Sequence, residues 1–308
     1  MESYYSIHSS PTHSISTKTF ISDLPAIQCV KYDEDGAYLA AGCNGKIALI
    51  TTAKMHTINC EDSITSIVWK PRISTSKTKN VLIASESLGA ISQWHTTSRK
   101  LVYRIETPCE VFSIDYHRWF NLILCGGRDG VLRLYDDITK TLVTEFEQKH
   151  TNRIFCVKAH PDDENILISA GWDSTVQIWD IRTSAAIRTI MGPHICGESI
   201  DIKGDLLLAG SWRDKNSLQV FDFPTGRLIK DVPLNAGSWV YSSKFSNDGS
   251  MCIAAGSNVN QLVLFEGFNQ IGNILGFPQP LFTADITKNK KNVAVGCGDG
   301  TVTIFNIN

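Results

Sequence analysis

Residues 166–182 read ILISAGWDSTVQIWDIR. The stretch 166–171 tapers to small side chains, Trp172-Asp173-Ser174 interrupts it, and 175–180 alternates apolar with polar before closing on Trp-Asp. Alternation of period two puts successive side chains on opposite faces, as in a strand with one buried face. Two such runs joined by a short turn read as a hairpin.

The second run recurs along the chain as 46–51 (KIALIT), 90–95 (AISQWH), 131–136 (VLRLYD), 175–180 (TVQIWD), 217–222 (SLQVFD), 261–266 (QLVLFE) and 301–306 (TVTIFN). The first inward apolar residues, Ile47, Ile91, Leu132, Val176, Leu218, Leu262 and Val302, fall 40 to 44 residues apart. A fixed period of that size marks small sheets that bury their faces only by stacking on neighbours. Each unit opens with a strand such as 27–32, 154–159 or 240–245, turns, and returns as a strand of small residues. Asn44-Gly45, Asp129-Gly130 and Asp299-Gly300 then supply tight turns in which Gly takes the positive φ a two-residue hairpin requires. A more polar strand, such as 141–146, 186–190 or 227–232, closes the unit.

These residues resemble the WD40-repeat family, over nearly the whole chain from about Ser16 to Asn308. The resemblance implies an all-β fold: a single seven-bladed β-propeller spanning 14–308, with four-stranded antiparallel blades. The last unit stops after its third strand, and residues 16–21 (STKTFI) stand where a closing N-terminal strand is needed to remove exposed edges. Residues 1–13 are then expected to be a flexible polar tail, and 71–80 (PRISTSKTKN) a mobile basic loop. The family's structural hydrogen-bond network maps onto His150, Ser169, Asp173 and Trp179. Leu88 replaces the turn Asp in the second unit.

Composition narrows the function. Hydrophobic residues make up 43%, charged residues 19%, and the formal net charge is −2, so no surplus of Lys and Arg exists to neutralise phosphates. No nucleic-acid partner is expected. No apolar run approaches the roughly 20 residues of a membrane helix, and MESYYSIHSS lacks the basic start and apolar core of a signal peptide. Nine cysteines without a CxxC pair read as reduced thiols in a cytoplasmic protein, with nuclear or cytoskeletal association open. His194 and Cys196 lack partners at zinc spacing, so no metal is expected. Gly126–Gly130 is a hairpin turn with no helix after it, so no nucleotide cofactor is expected either. The Ser-His-Asp set is explained by the structural network rather than by hydrolysis, and the chain is read as not an enzyme.

The opening strands align on Val30, Ile67, Ile114, Val157, Ile200, Ser243 and Ala284. Two residues earlier, at a position near the top mouth of the channel in the family, stand Gln28, Thr65, Phe112, Phe155, Glu198, Tyr241 and Phe282. Aromatic residues at a solvent mouth suit a binding surface. Arg128, Trp172, Trp212, Arg213 and Trp239 fall in neighbouring turns, and Trp and Arg are the types most enriched at binding hot spots. The Arg residues suit a carboxylate on the partner. The expected function is therefore a protein-interaction scaffold that holds peptide segments or subunits of a multiprotein assembly on its top face, as a monomeric propeller. The alternative is a substrate receptor of a cullin–RING ubiquitin ligase, because Trp179-Asp180-Ile181-Arg182 matches the WDxR signature, with Arg182 as the adaptor contact.

Overall fold

The computed structural model describes residues 5–10, 14–20, 23–52, 54–72, 80–148, 150–235 and 237–308. Among these residues there is no α-helix, and so no helix long and apolar enough to cross a membrane. From the N-terminus come β1 (Ser6–Ser9), β2 (Ile15–Phe20), β3 (Cys29–Tyr32), β4 (Leu39–Ile50), β5 (Met55–Trp69), β6 (Val81–Glu86), β7 (Ala90–His95) and β8 (Lys100–Glu106). Next are β9 (Val111–His117), β10 (Leu122–Gly127), β11 (Arg133–Asp136), β12 (Leu142–Glu145), β13 (Ile154–Ala159), β14 (Ile166–Gly171), β15 (Thr175–Asp180) and β16 (Ala185–Met191). The remainder are β17 (Ile200–Lys203), β18 (Leu206–Gly210), β19 (Leu218–Asp222), β20 (Leu228–Asp231), β21 (Trp239–Phe245), β22 (Met251–Ser257), β23 (Leu262–Glu266), β24 (Asn269–Leu275), β25 (Leu281–Ile286), β26 (Asn292–Cys297) and β27 (Val302–Ile307).

These strands form six hydrogen-bonded sheets. Four have four strands: β9–β12, β13–β16, β17–β20, and β25–β27 with β2. One has five, β21–β24 with β1, and one has six, β3–β8. The expected seven four-stranded blades are thereby corrected: counted as continuous hydrogen-bonded sheets, the propeller has six blades. The physical reason lies in β4 and β5, of twelve and fifteen residues, which run through points where the repeat pattern calls for a break. β5 contains neither Pro nor Gly, so nothing forces its ladder to stop. It pairs with β4 up to Ser63 and with β6 from Ile64 onward. Most other junctions carry a breaker: Pro108 before β9, Pro193 before β17, Pro233 before β21, and Pro278 with Pro280 before β25. The six-stranded sheet bends back on itself, so Ile47, Leu49 and Ile58 pack on Ile67, Leu82 and Trp94.

β2 pairs antiparallel with β27, from Ile15 opposite Ile307 to Phe20 opposite Val302. β1 adds to the edge of β24, with Ser6 opposite Leu275, and Tyr5 packs its ring 4.7 Å from Phe277. Part of the stretch expected as a free tail is therefore an edge strand. Residues 1–4 and 11–13, the end of the proposed closing strand at Ile21, and most of the basic loop (73–79) lie outside the described residues.

The core sits between sheets. Leu124, Leu134 and Phe146 of one sheet, for example, meet Ile154, Leu167 and Trp179 of the next. The innermost strands β3, β5, β9, β13, β17, β21 and β25 touch in succession, and β25 touches β3, which closes the ring. Side chains join these strands where no ladder does. Val30 N donates to Thr283 Oγ1 (3.0 Å), Val157 N to Ser113 Oγ (3.1 Å) and Ala284 N to Ser242 Oγ (3.1 Å). Deeper in, Tyr32 N, Ala159 N and Phe245 N donate to carboxylates of Asp285, Asp115 and Asp201 at 2.7–2.9 Å. These bonds satisfy backbone donors that would otherwise be buried unpaired.

Candidate functional site

Residues at or just before the start of most inner strands, with Thr65 inside the long β5, form the mouth at one end of the channel. Gln28, Thr65, Phe112, Phe155, Glu198, Tyr241 and Phe282 line one cavity of about 230 Å3, together with Cys196, Gly197 and Thr283. Phe112 and Phe155 stack with ring centroids 5.0 Å apart and planes 8° from parallel. Tyr241 meets Phe282 edge to face at 5.5 Å.

The rings continue out of the cavity. Phe155 lies 5.1 Å from Trp172, Trp172 lies 6.2 Å from His194, His194 lies 6.3 Å from Trp212, and Trp212 lies 4.8 Å from Trp239. The result is one track of aromatic faces, with Trp172 and Trp212 exposed. Its members are held in place by hydrogen bonds. Trp172 Nε1 donates to Cys196 Sγ at 2.7 Å, and Trp239 Nε1 to Asp214 Oδ1 at 2.8 Å. Burial holds the His194 imidazole below its usual value, and burial pushes the Cys196 thiol up to about 11.

The two arginines are less free than the aromatic residues. Arg213 donates to Gly192 O (3.1 Å), to Asn216 O (2.7 Å) and to Gln219, so its guanidinium is engaged within the chain. Arg128 NH1 donates to Glu110 Oε1 at 2.7 Å. Both guanidiniums, expected to meet a partner's carboxylate, thus have partners within the chain, and the acid that lines the cavity is Glu198. Burial would raise the Glu198 carboxyl, yet Lys31, Lys158 and Lys244, with the Ser66 hydroxyl, hold it down at about 2. Its Oε2 lies 3.8 Å from Lys31 Nζ, and its Oε1 accepts from Ser66 Oγ.

Below the mouth the channel wall carries Lys31, Asp115, Lys158, Asp201, Lys244 and Asp285, in alternating sign at the residue after each alignment position. Val68 alone interrupts the series. Lys244 Nζ pairs with Asp285 Oδ1 at 2.7 Å. Burial, with Lys158 and Lys244, lowers the Lys31 ammonium to about 8. Asp115 and Glu198 outweigh burial at Lys158 and hold it above the usual lysine value. With Glu198 the channel holds four carboxylates against three ammonium groups.

The remaining candidates lie apart from the mouth. Trp179 Nε1 donates to Ser169 Oγ (2.8 Å), which lies 2.7 Å from His150 Nε2, and His150 Nδ1 lies 2.7 Å from Asp173 Oδ2. His150, Ser169 and Trp179 are buried in the sheet β13–β16, away from the channel. The strand of small residues has its own cause: a Cβ on Gly171 would stand 1.9 Å from Arg153 O. Arg182 sits at the opposite end of the propeller, 68% exposed, and grips its own turn through Asp180 at 2.9 and 2.6 Å.

A family model described as "WD domain, G-beta repeat" matches residues 99–136 and 140–180. The chain carries WD40 repeats. Similar proteins include a WD repeat-containing protein 89 homolog of Dictyostelium discoideum, 26% identical over 63% of this chain and 55% of its own length. A guanine nucleotide-binding protein subunit beta-like protein of Encephalitozoon cuniculi is 29% identical over 39% of this chain and 37% of its own length. A ribosome biogenesis protein WDR12 homolog of Caenorhabditis briggsae is 29% identical over 50% of this chain and 32% of its own length. The chain thus spans less than two-thirds of each of these relatives.

Sequence reasoning missed three features. His194 is a link in the aromatic track, although its sequence spacing speaks only to zinc. The alternating Lys/Asp series was visible in the same alignment, three residues beyond the mouth position. The turn 118–121, at the end of the propeller away from the mouth, carries exposed Trp119 and Phe120 that the repeat pattern does not explain.

Proposed function

We infer that this WD40 protein is a non-catalytic scaffold that holds a peptide segment of another protein across the channel mouth, with one Lys or Arg side chain inserted into the aromatic cavity. The observation that carries this reading is the unbroken path of rings from Phe112 to Trp239 beside a cavity lined by Glu198. Aromatic faces attract cations by about 0.5–2 kcal/mol per contact, and the aliphatic stem of Lys or Arg packs on the same rings. A cavity of about 230 Å3 admits one such side chain. Its carboxylate can accept further bonds while keeping Ser66 and Lys31, because an ionised carboxylate offers about four acceptor sites. Arg153, stacked 5.2 Å over the Trp172 ring, is an internal example of the same contact. Relatives named for ribosome biogenesis and as a G-protein β-like subunit support work inside an assembly.

The test uses capped peptide pools with random flanks and a fixed central Arg, or its neutral isostere citrulline. The Arg pool is expected to bind about ten-fold tighter than the citrulline pool, and Phe155→Ala to remove that difference. Equal affinity of the two pools for the wild-type protein contradicts the reading.

A further inference from the structure

At the end of the propeller away from the mouth, the turns that follow the inner strands are polar: 33–36 is DEDG, 160–165 is HPDDEN, 246–250 is SNDGS and 287–291 is TKNKK. Such turn tips ordinarily stay polar because they lie in water. The turn after β9 is Arg118-Trp119-Phe120-Asn121, with Trp119 37% and Phe120 43% exposed. Asp137 N donates to Asn121 O at 2.9 Å and brings up the neighbouring turn, whose Ile138 is 74% exposed. Two turns joined by a backbone hydrogen bond thus expose three large apolar side chains.

That surface is held rigid. Phe120 stacks on the buried His117 ring at 4.9 Å and 4°. Arg118 lies 4.5 Å over the Trp119 ring and donates to Pro161 O at 2.6 Å. His117 Nε2 donates to Glu164 O at 2.8 Å. The last two bonds fix the turn 160–164 beside the aromatic residues, and between them lies a cavity of about 130 Å3 lined by Tyr116, Arg118, Trp119 and Pro161. Asp162, Asp163 and Glu164 are exposed along its flank. Arg118 is engaged by Pro161 and Trp119, and Arg182, paired with Asp180, interacts with Asp163, so the flank carries three carboxylates against one neighbouring exposed cation.

We propose that Trp119, Phe120 and Ile138, with the acidic run 162–164, form a second protein-docking surface. It takes a partner segment that presents a large apolar side chain followed by Lys or Arg. Rigid exposed aromatic residues are the anchors that dominate interface energetics, and complementary charge sets the orientation of the segment. A lipid surface fits less well, because the acidic flank repels anionic headgroups. The surface lies across the molecule from the channel mouth, so one chain can hold two partners at once.

The experiment pans a random-sequence peptide display library on the full chain carrying Phe155→Ala, which disables the mouth, and measures the selected peptides in solution on the wild-type protein and its variants. Selected peptides are expected to pair an aromatic or long aliphatic residue with Lys or Arg. Their affinity is expected to fall about ten-fold with Trp119→Ala, about three-fold with Asp162→Lys/Glu164→Lys, and not at all with Trp172→Ala. Trp172→Ala separates this surface from the mouth, and the charge reversal tests it without touching the apolar anchors. Selected peptides that keep full affinity for both the Trp119→Ala and the charge-reversed proteins overturn the proposal. So does binding of phosphatidylcholine–phosphatidylserine vesicles that Trp119→Ala abolishes, which assigns the surface to lipid.

Discussion

The sheet β13–β16 and the six-stranded sheet β3–β8 come from the same repeat and end differently. In β13–β16 the turn supplies the carboxylate: Asp173 accepts from Thr175 N and Oγ1, and its Oδ2 meets His150. The chain then reaches Pro193 and breaks before β17. In the six-stranded sheet the corresponding turn holds exposed Leu88, and the carboxylate comes from the lead-in strand. Asp62 accepts from Leu88 N at 2.6 Å and from Ser87 Oγ at 3.0 Å. Among the described residues no buried His joins Trp94 to that acid; Trp94 Nε1 donates to Ser92 Oγ at 2.9 Å. The difference teaches that turn capping can come from either side, and that the continuous ladder of β5 goes with a segment free of Pro and Gly.

The comparison can be broken at its strongest point first. His150→Ala removes the middle of a buried network and leaves Ser169 and Asp173 short of a partner. Unfolding in urea is expected to show a loss of about 3 kcal/mol. Asp62→Ala removes bonds that are partly open to water, and its expected loss is about 1 kcal/mol. Equal losses from the two substitutions mean that the sheets are capped by equivalent means after all. The smallest effect is expected at the junction itself. Glu61→Pro places a breaker at an exposed position in β5 and costs less than about 1 kcal/mol. Amide exchange should then quicken at residues 60–63 and stay slow on both sides, dividing the sheet in two.

Much of this was legible in the sequence. The period of 40 to 44 residues gives the stacked sheets, and one alignment of the inner strands names the residues that line the mouth. Sheet count was not legible from the period, because repeats count sequence units and not hydrogen-bonded ladders. The missing Pro and Gly in β5 was the sign available. Arg213 illustrates a second limit: its residue type suggests a hot spot, while the backbone carbonyls that engage it come from Gly192 and Asn216 in the folded chain. Trp119 and Phe120 are adjacent in sequence, yet only the fold shows that they are exposed and that their turn is bonded to the turns holding Ile138 and the acids at 162–164.

The proposed function turns on a cationic side chain held at the mouth by Glu198 and the rings. A double-mutant cycle measures this most directly, pairing Glu198→Gln in the protein with Arg→citrulline in a peptide selected for mouth binding. The expected coupling is about 1–2 kcal/mol in favour of the Arg–Glu198 pair. A coupling near zero, with the Arg and citrulline peptides affected equally by Glu198→Gln, contradicts it.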